Sequence, residues 1–129
     1  MARTETLTIV APCDWINAND RAHWTKRRYL TQTWRVAAGM SARAHRIKPF
    51  AGQVDILVRV HKARAGGRWD PHNLMPTAKA AIDGLVDAGV MPDDSRAYLR
   101  TTSIEDGGTR DRNAITLVIT EVGAQECAS

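Results

Sequence analysis

The segment from residue 68 to residue 94 constrains the fold most, because its central helix has a clear limit at each end. Pro76 fits only the first turn of a helix, where its missing N–H would be unpaired anyway. Gly89 suits the left-handed position that often follows the last helical residue. We therefore expect a helix over about residues 76–88. Its buried stripe is expected to consist of Leu74, Ala78, Ala81, Ile82, Leu85 and Val86.

Carboxylates bracket this helix, with Asp70 before it and Asp93 and Asp94 after it. A helix of this length spans about 20 Å at about 1.5 Å per residue. The chain from residue 88 to residue 94 covers at most about 20 Å. The acids on the two sides can therefore converge near the middle of the helix more comfortably than at its start.

The middle of the helix carries Lys79 and Asp83, which are four residues apart and share one face. Helical side chains lean toward the N-terminus, which carries the Lys79 ammonium toward the Asp70 loop. Carboxylates around a lysine-bearing helix are typical of a site where a divalent cation acts on a phosphate. The plainer alternatives are a surface ion pair between Lys79 and Asp83, and a helix-capping role for Asp70.

Basic and acidic residues are separated along the chain, which has a net charge of +4. Residues 21–54 include eight Lys or Arg and no acid, whereas residues 70–106 include seven acids and three basic residues. A basic half suits a polyanion such as DNA, and a solvated basic helix without a partner is the alternative. The candidate phosphate contacts are Arg21, Lys26, Arg27, Arg28, Arg35 and Arg68.

The polar loop over residues 14–26 contains two tryptophans, Trp15 and Trp24. Each could plug the core or offer a surface on which an unpaired base stacks. Burial is the commoner fate of a tryptophan, so plugging is the favoured interpretation.

Alternating apolar residues predict strands, and helical spacing of apolar residues predicts a first helix whose inner face is Leu30, Trp34, Ala37, Ser41 and Ala44. Gly107-Gly108 favours a hairpin between the last two strands. The order β-α-β-α-β-β predicts an α/β (α+β) fold, in which a mixed sheet carries both helices. The strands are expected over residues 5–11, 53–62, 97–104 and 114–122, and the first helix over about 27–46.

A chain of 129 residues is expected to form one domain, here over residues 1–123 with 124–129 as a frayed tail. No apolar run is long enough for a signal peptide or a membrane span. Cys13 and Cys127 match no metal-binding spacing, and with the histidines they show no zinc pattern. We expect reduced thiols and a cytoplasmic location.

The second half of the chain carries a spaced pattern that consists of Asp70-Pro71-His72-Asn73, Lys79, Gly89-Val90 and Asp93-Asp94. This pattern resembles that of the RusA-type Holliday junction resolvases, small phage-associated endonucleases that nick four-way DNA junctions. Their pattern is Asp-x-Asp-Asn, a helix with an essential Lys, a Gly-hydrophobic pair and two aspartates. Pro12, Asn17, Arg21 and the closing strand ITLVITEVG extend the resemblance over nearly the whole chain.

The resemblance implies a Mg²⁺- or Mn²⁺-dependent endonuclease that acts as a homodimer on branched DNA, since a two-fold protein suits a four-way junction. It implies Asp70 and Asp94 as metal ligands, with Lys79 as the catalytic contact to the phosphate. Around these ligands, Asp93 is expected to be a turn residue or a supporting acceptor, and Asp83 a structural or supporting residue. Asn73 is a further supporting position.

His72 stands where the family has its second acid, and a short insertion containing Pro76 follows it. Magnesium prefers hard oxygen ligands, so an imidazole there should weaken magnesium binding or shift the preference toward manganese. His72 is thus a candidate metal ligand, a holder of metal-bound water or a base, and its alternative is a loop residue that touches no metal. Two rival functions follow: a DNA-binding module that lost catalysis through His72, and a metal-dependent hydrolase of small phosphates.

Overall fold

Strand β2 (Val54–His61) lies inside the sheet and within the range that its alternating sequence predicts for a strand. The computed structural model describes residues 2–21, 23–64, 67 and 69–123 of the chain. Within them, β2 pairs antiparallel with one strand and parallel with another, so the sheet is mixed. The remaining strands are β1 (Thr4–Val10), β3 (Leu99–Asp106) and β4 (Ala114–Glu121).

Helix α1 (Trp24–Ala44) connects β1 to β2, and helix α2 (Met75–Asp87) connects β2 to β3 after a 3-10 turn (Pro71–Leu74). The predicted order of elements and the predicted α+β class are both confirmed. α2 is the crossover that parallel strands require, because a tight turn cannot join them. Neither described helix is long and apolar enough to cross a membrane. Residues 124–129, predicted to form a frayed tail, lie outside the described residues.

One face of the sheet is buried and forms a single core with the two helices. Leu7, Ile56 and Leu117 project from this face and are at most 1% exposed. Trp34 from α1 and Leu85 from α2 close the core from above, and both are fully buried. The sheet face and the helix faces are therefore held together mainly by apolar burial.

The predicted hairpin between the last two strands is wrong, because β2 lies between β3 and β4. The sheet order is β1-β4-β2-β3, with β3 at one edge. β4 is buried along most of its length, whereas β3 is largely polar and partly exposed. An apolar strand gains more from an inner position, and a polar strand tolerates an edge.

The Gly107-Gly108 pair closes over the end of β2 instead of forming a hairpin turn. A Cβ at Gly107 would lie 2.6 Å from Cε1 of His61, so only glycine fits against this ring. The carbonyl of Gly108 accepts a hydrogen bond from His61 Nδ1 at 3.1 Å. His61 Nε2 lies 2.8 Å from the Thr116 hydroxyl, which is 3.0 Å from the Thr8 hydroxyl.

The inner face of α1 departs from the predicted one after Trp34. Leu30 and Trp34 are buried as predicted. Ala37 is half-buried and packs against the core, and Ser41 is half-buried. Ala44 is exposed, so the prediction is wrong at this position.

The buried ridge of α1 continues through Ala38 and Ala42 because α1 crosses α2 at two glycines. A Cβ at Gly84 would lie 2.9 Å from both the Ala38 Cβ and the Gly39 amide nitrogen. A Cβ at Gly39 would meet the Gly84 carbonyl oxygen at 3.1 Å. The two helix backbones therefore approach each other as closely as the absence of these side chains allows.

Gly84→Ala is expected to destabilise the protein by about 1–3 kcal/mol through overpacking at the helix crossing. On the exposed face of a helix, Gly→Ala would instead stabilise the protein by about 1 kcal/mol. The sign of the change in the free energy of unfolding therefore tests whether the helices pack closely at Gly84. Urea denaturation monitored by circular dichroism measures the difference. Gly52→Ala, whose added Cβ meets nothing within 4 Å, is the control. A Gly84→Ala protein as stable as the parent would contradict the close packing.

Candidate active site and basic surface

Lys79 lies on the exposed side of α2, one turn before Asp83. After α2 the chain turns at Gly89, whose φ is +80°, and brings Asp94 back beside the helix. The Lys79 ammonium donates to Asp94 Oδ2 and lies 3.5 Å from Asp83 Oδ1. The structure thus brings together Lys79, Asp83 and Asp94, as the reach of the chain predicts.

A cavity of about 280 Å³ opens beside this cluster, between α2 and the first residues of β3. Lys79 and Asp94 form its charged rim, and the hydroxyl-bearing Thr102 is a third polar group. Its apolar wall consists of Met75, Ile82 and Leu99. A charged group can therefore bind at the rim while an apolar surface packs against the wall.

The hydrogen bond between Lys79 and Asp94 dominates the electrostatics of the rim. It holds the pKa of the Asp94 carboxyl below its usual value and raises the pKa of the Lys79 ammonium. Asp83 raises the Lys79 pKa further through its charge. Because the Asp94 pKa is lowered, the pair persists at neutral pH and is lost only as the pH falls through that lowered value.

Asp70 and His72 form a separate pair at the 3-10 turn. Asp70 Oδ1 accepts the His72 backbone N–H at 2.9 Å and lies 3.1 Å from His72 Nδ1. Both hydrogen bonds lower the pKa of the Asp70 carboxyl, and the one from the His72 backbone has the larger effect. A carboxylate only accepts, so Nδ1 carries the proton and Nε2 of a neutral ring retains its lone pair. Asp70 therefore has the capping role that was the plainer alternative for it.

The structure does not assemble the full ligand set of Asp70, His72 and Asp94. In the described part of the chain, no hydrogen bond or ion pair joins Asp70 or His72 to Asp94. Nor do three or more His, Cys, Asp or Glu side chains gather there closely enough to hold a metal ion. The carboxylates present are Asp94 and Asp83 beside Lys79, and Asp70 beside His72. Magnesium often takes only one or two carboxylates and completes its shell with water and substrate phosphate oxygens, so this donor set fits such an ion.

Two of the supporting residues have structural partners. Asp93 Oδ1 accepts the Ser95 N–H at 2.6 Å, which makes Asp93 a turn residue beside Asp94. The Asn73 carbonyl accepts the Ala18 N–H at 2.7 Å, which connects the 3-10 turn to the loop before α1. Both residues therefore shape the backbone around the candidate site.

Thr77 anchors the loop before α1 to α2, and sequence reasoning did not identify it. Its hydroxyl accepts the Ile16 N–H at 2.8 Å and donates to the Ile16 carbonyl at 3.0 Å. Thr77 is 1% exposed, whereas Val86, predicted inside, is only half-buried. A polar residue beside the apolar stripe of α2 was the signal that could have indicated a specific buried partner.

The two tryptophans of the loop have different environments. Trp15 stacks on Trp34, with ring centroids 5.5 Å apart and an interplanar angle of 12°. Trp34 in turn donates from Nε1 to the Asp14 carbonyl at 2.9 Å. Trp24, at the first position of α1, is 67% exposed. Plugging is thus confirmed for Trp15 and wrong for Trp24.

The predicted DNA contacts near the start of α1 lie at the surface. Arg21, Lys26 and Arg28 are exposed, and their side chains form no hydrogen bond or ion pair with another described residue. Arg27 is half-buried and donates to the Asn17 carbonyl at 3.3 Å. Positive charge without acidic partners is therefore concentrated at this end of the helix.

Arg35 has a different environment. Its guanidinium makes a two-point ion pair with the Asp87 carboxylate of α2, at 2.6 and 2.8 Å. This pairing raises the Arg35 pKa and lowers the Asp87 pKa. Arg43 donates to the Asp87 carbonyl at 3.0 Å, so this part of α1 is joined to α2. Arg68, also a candidate DNA contact, lies outside the described residues.

No family model matches the chain, and the search of curated proteins returns no match.

Asp94→Asn is expected to lower the Lys79 pKa relative to the parent protein, because the hydrogen bond to Asp94 is the largest cause of its elevation. Asp83→Asn should lower the Lys79 pKa by a smaller amount, since Asp83 acts mainly through its charge. NMR titration of ¹³Cε-labelled lysine measures both changes. A larger effect from Asp83→Asn would mean that Asp83 is the principal partner of Lys79 in solution.

Proposed function

We propose that this protein is a divalent-metal-dependent endonuclease that cleaves branched DNA, including four-way junctions. The observation that carries the proposal is the position of Lys79, which Asp94 and Asp83 hold at the rim of the cavity. A cation fixed beside a carboxylate at an open cavity suits a phosphate group whose charge grows during cleavage. The resemblance to RusA-type resolvases supports the same assignment for these residues.

Lys79 would contact the scissile phosphate. In the protein without DNA its ammonium donates to Asp94, and a phosphate oxygen in the cavity would be a competing acceptor for the same group. An ordinary lysine is cationic at neutral pH, and the pKa of Lys79 is raised further, so its ammonium would stabilise negative charge on the phosphate. Asp83, one turn away, restricts where the ammonium lies.

Asp70 and Asp94 would supply carboxylate oxygens to Mg²⁺ or Mn²⁺. When bound, such an ion supplies Lewis-acid stabilisation of the phosphate charge and a water of lowered pKa. Both carboxyl groups have lowered pKa values, so both are ionised at neutral pH and available as oxygen donors.

His72 would act beside Asp70 through Nε2. Asp70 holds Nδ1 in its protonated form, and this hydrogen bond directs the basic lone pair of the ring to Nε2. That nitrogen can accept a proton from water or bind a transition metal. An Asp–His pair of this kind orients the imidazole, as carboxylates do for metal-bound histidines.

The basic start of α1 would grip the DNA backbone near this site. The hydrogen bond from Ala18 to Asn73 connects the loop before α1 to the turn that carries His72. This hydrogen bond holds the loop that leads to Arg21 and the start of α1 against that turn. A homodimer in the cytoplasm would present two such sites, as the paired cuts of a four-way junction require.

A second candidate is a metal-dependent hydrolase of small phosphates, which the small cavity with an apolar wall beside Lys79 favours. A catalytically inactive DNA-binding module would retain the basic surface alone. Cleavage of a synthetic four-way junction with Mg²⁺ and with Mn²⁺ decides between these functions. Binding without cleavage would support the module, and hydrolysis of mononucleotides without junction binding would support the small-phosphate enzyme.

Asp70→Asn is expected to abolish junction cleavage while leaving junction binding near the parent value, because the amide oxygen can still cap the turn but carries no charge. Lys79→Ala should lower the cleavage rate by about 100- to 1,000-fold with a smaller change in affinity. Single-turnover kinetics and metal-free binding measure the two effects separately. Glu105→Gln, on the open face of the sheet, is the matched control. Cleavage by Asp70→Asn at the parent rate would remove Asp70 from the site.

Arg28→Gln is expected to weaken binding to any DNA and to reduce the slope of log affinity against log salt by about one. Arg35→Gln should leave that slope unchanged, because the Arg35 charge is already paired with Asp87. Fluorescence anisotropy over a range of salt concentrations measures both slopes. Equal reductions in the two variants would show that the Arg35 ion pair opens when DNA binds.

A further inference from the structure

Trp24 is far more exposed than the other tryptophans. It is 67% exposed, whereas Trp34 is fully buried and Trp15 stacks on Trp34. Trp69 is half-buried beneath the Lys62 ammonium, which lies 4.7 Å from the ring centroid. Tryptophan is highly buried on average, and the exposed indole of Trp24 leaves a large ring face available to another molecule.

The ring next to Trp24 belongs to His23, and its position is fixed by the start of α1. His23 Nδ1 accepts the Thr25 N–H at 3.2 Å and so caps the helix. The centroids of the His23 and Trp24 rings lie 5.7 Å apart, with an interplanar angle of 31°. Two exposed ring faces are thus presented side by side.

Cations without acidic partners lie near these rings along the chain. Arg28 lies one turn after Trp24 on the same helical face, and Lys26 and Arg21 flank it in the sequence. As noted above, none of these three cations is paired with an acid of the described chain. An apolar protein partner would have to desolvate these charges, whereas a phosphate chain neutralises them.

We infer that the His23–Trp24 pair is a stacking platform for an unpaired DNA base, with Arg21, Lys26 and Arg28 holding the adjacent phosphates. A base inside a duplex has both faces covered by its neighbours, so only an unpaired base offers a face to Trp24. The preferred ligand is therefore DNA with unpaired nucleotides at the branch. This inference rests on the proposed function for its choice of DNA, and it concerns recognition instead of cleavage.

The test compares Trp24→Ala with the parent for metal-free binding to a fork with unpaired nucleotides and to a fully paired duplex of equal length. Affinity for the fork should fall by about 5- to 100-fold, with little change for the duplex. Trp24→Phe should retain most of the affinity, because a smaller ring still stacks. Trp24 is exposed, so the variants are expected to fold, and circular dichroism checks this.

Tyr29→Ala is the matched control, since Tyr29 is 64% exposed on the same helix. Its ring lines an apolar groove with Val36 and Met40 and takes no part in the platform. We expect the affinity of the Tyr29→Ala protein for the fork and for the duplex to equal that of the parent. A 2-aminopurine placed at the unpaired position should lose fluorescence on binding the parent, and much less on binding Trp24→Ala, which identifies stacking directly.

The failure of this inference differs from the failure of the proposed function. If Trp24→Ala lowers affinity for the fork and the duplex equally, or lowers neither, the stacking platform is overturned. Junction cleavage by the parent would be unaffected by that result. The platform would also be overturned if Tyr29→Ala lost as much affinity for the fork as Trp24→Ala, because any exposed aromatic ring on the helix would then bind the fork equally well. If the parent binds no DNA, the proposed function and this inference fall together.

Discussion

The hydroxyl of Thr77 holds together the two regions on which the proposed activity depends. It accepts from and donates to the backbone of Ile16, so both polar groups of that residue are satisfied out of contact with water. Removal of this hydroxyl would leave two buried backbone groups without partners, which costs more than the loss of one exposed hydrogen bond. The Trp15–Trp34 stack then fixes the same loop to α1. Through these contacts α2, with its charged rim, and the basic start of α1 keep one relative position.

The helix crossing divides the charge of α1 into two parts with different consequences. Near Gly39 and Gly84, the close approach of the backbones brings Arg35 and Arg43 to Asp87, and their hydrogen bonds serve the packing of the helices. Toward its start, α1 extends past this contact, and the exposed Arg28 forms no ion pair with another described residue. One basic helix thus supplies an internal fastening and an external electrostatic surface. Net charge alone does not distinguish the two.

Sequence reasoning succeeded where the controlling interaction is local or limited by chain length. The alternation of β2 and the limits at Pro76 and Gly89 define their elements directly, and the short return from α2 brings Asp94 to Lys79. Sequence reasoning failed where a partner distant in the sequence determines the environment of a side chain. Arg35 is paired with a residue 52 positions away, which no helical pattern reveals.

The same reasoning explains the error in the sheet and the local contacts of Asp70. The carboxylate of Asp70 accepts hydrogen bonds from the backbone and the ring of His72, which lies only two positions away. Gly107-Gly108 is a strong local turn signal, yet the pairing of β2 with both neighbours outweighs it. That turn has a further effect through His61, whose ring joins the Gly108 carbonyl to the hydroxyls of Thr116 and Thr8 across three strands. If β2 slipped by one residue relative to β4, the His61 imidazole would point into the apolar core and lose its hydrogen-bond partners. These side-chain hydrogen bonds therefore specify the register of the sheet in addition to the backbone pairing.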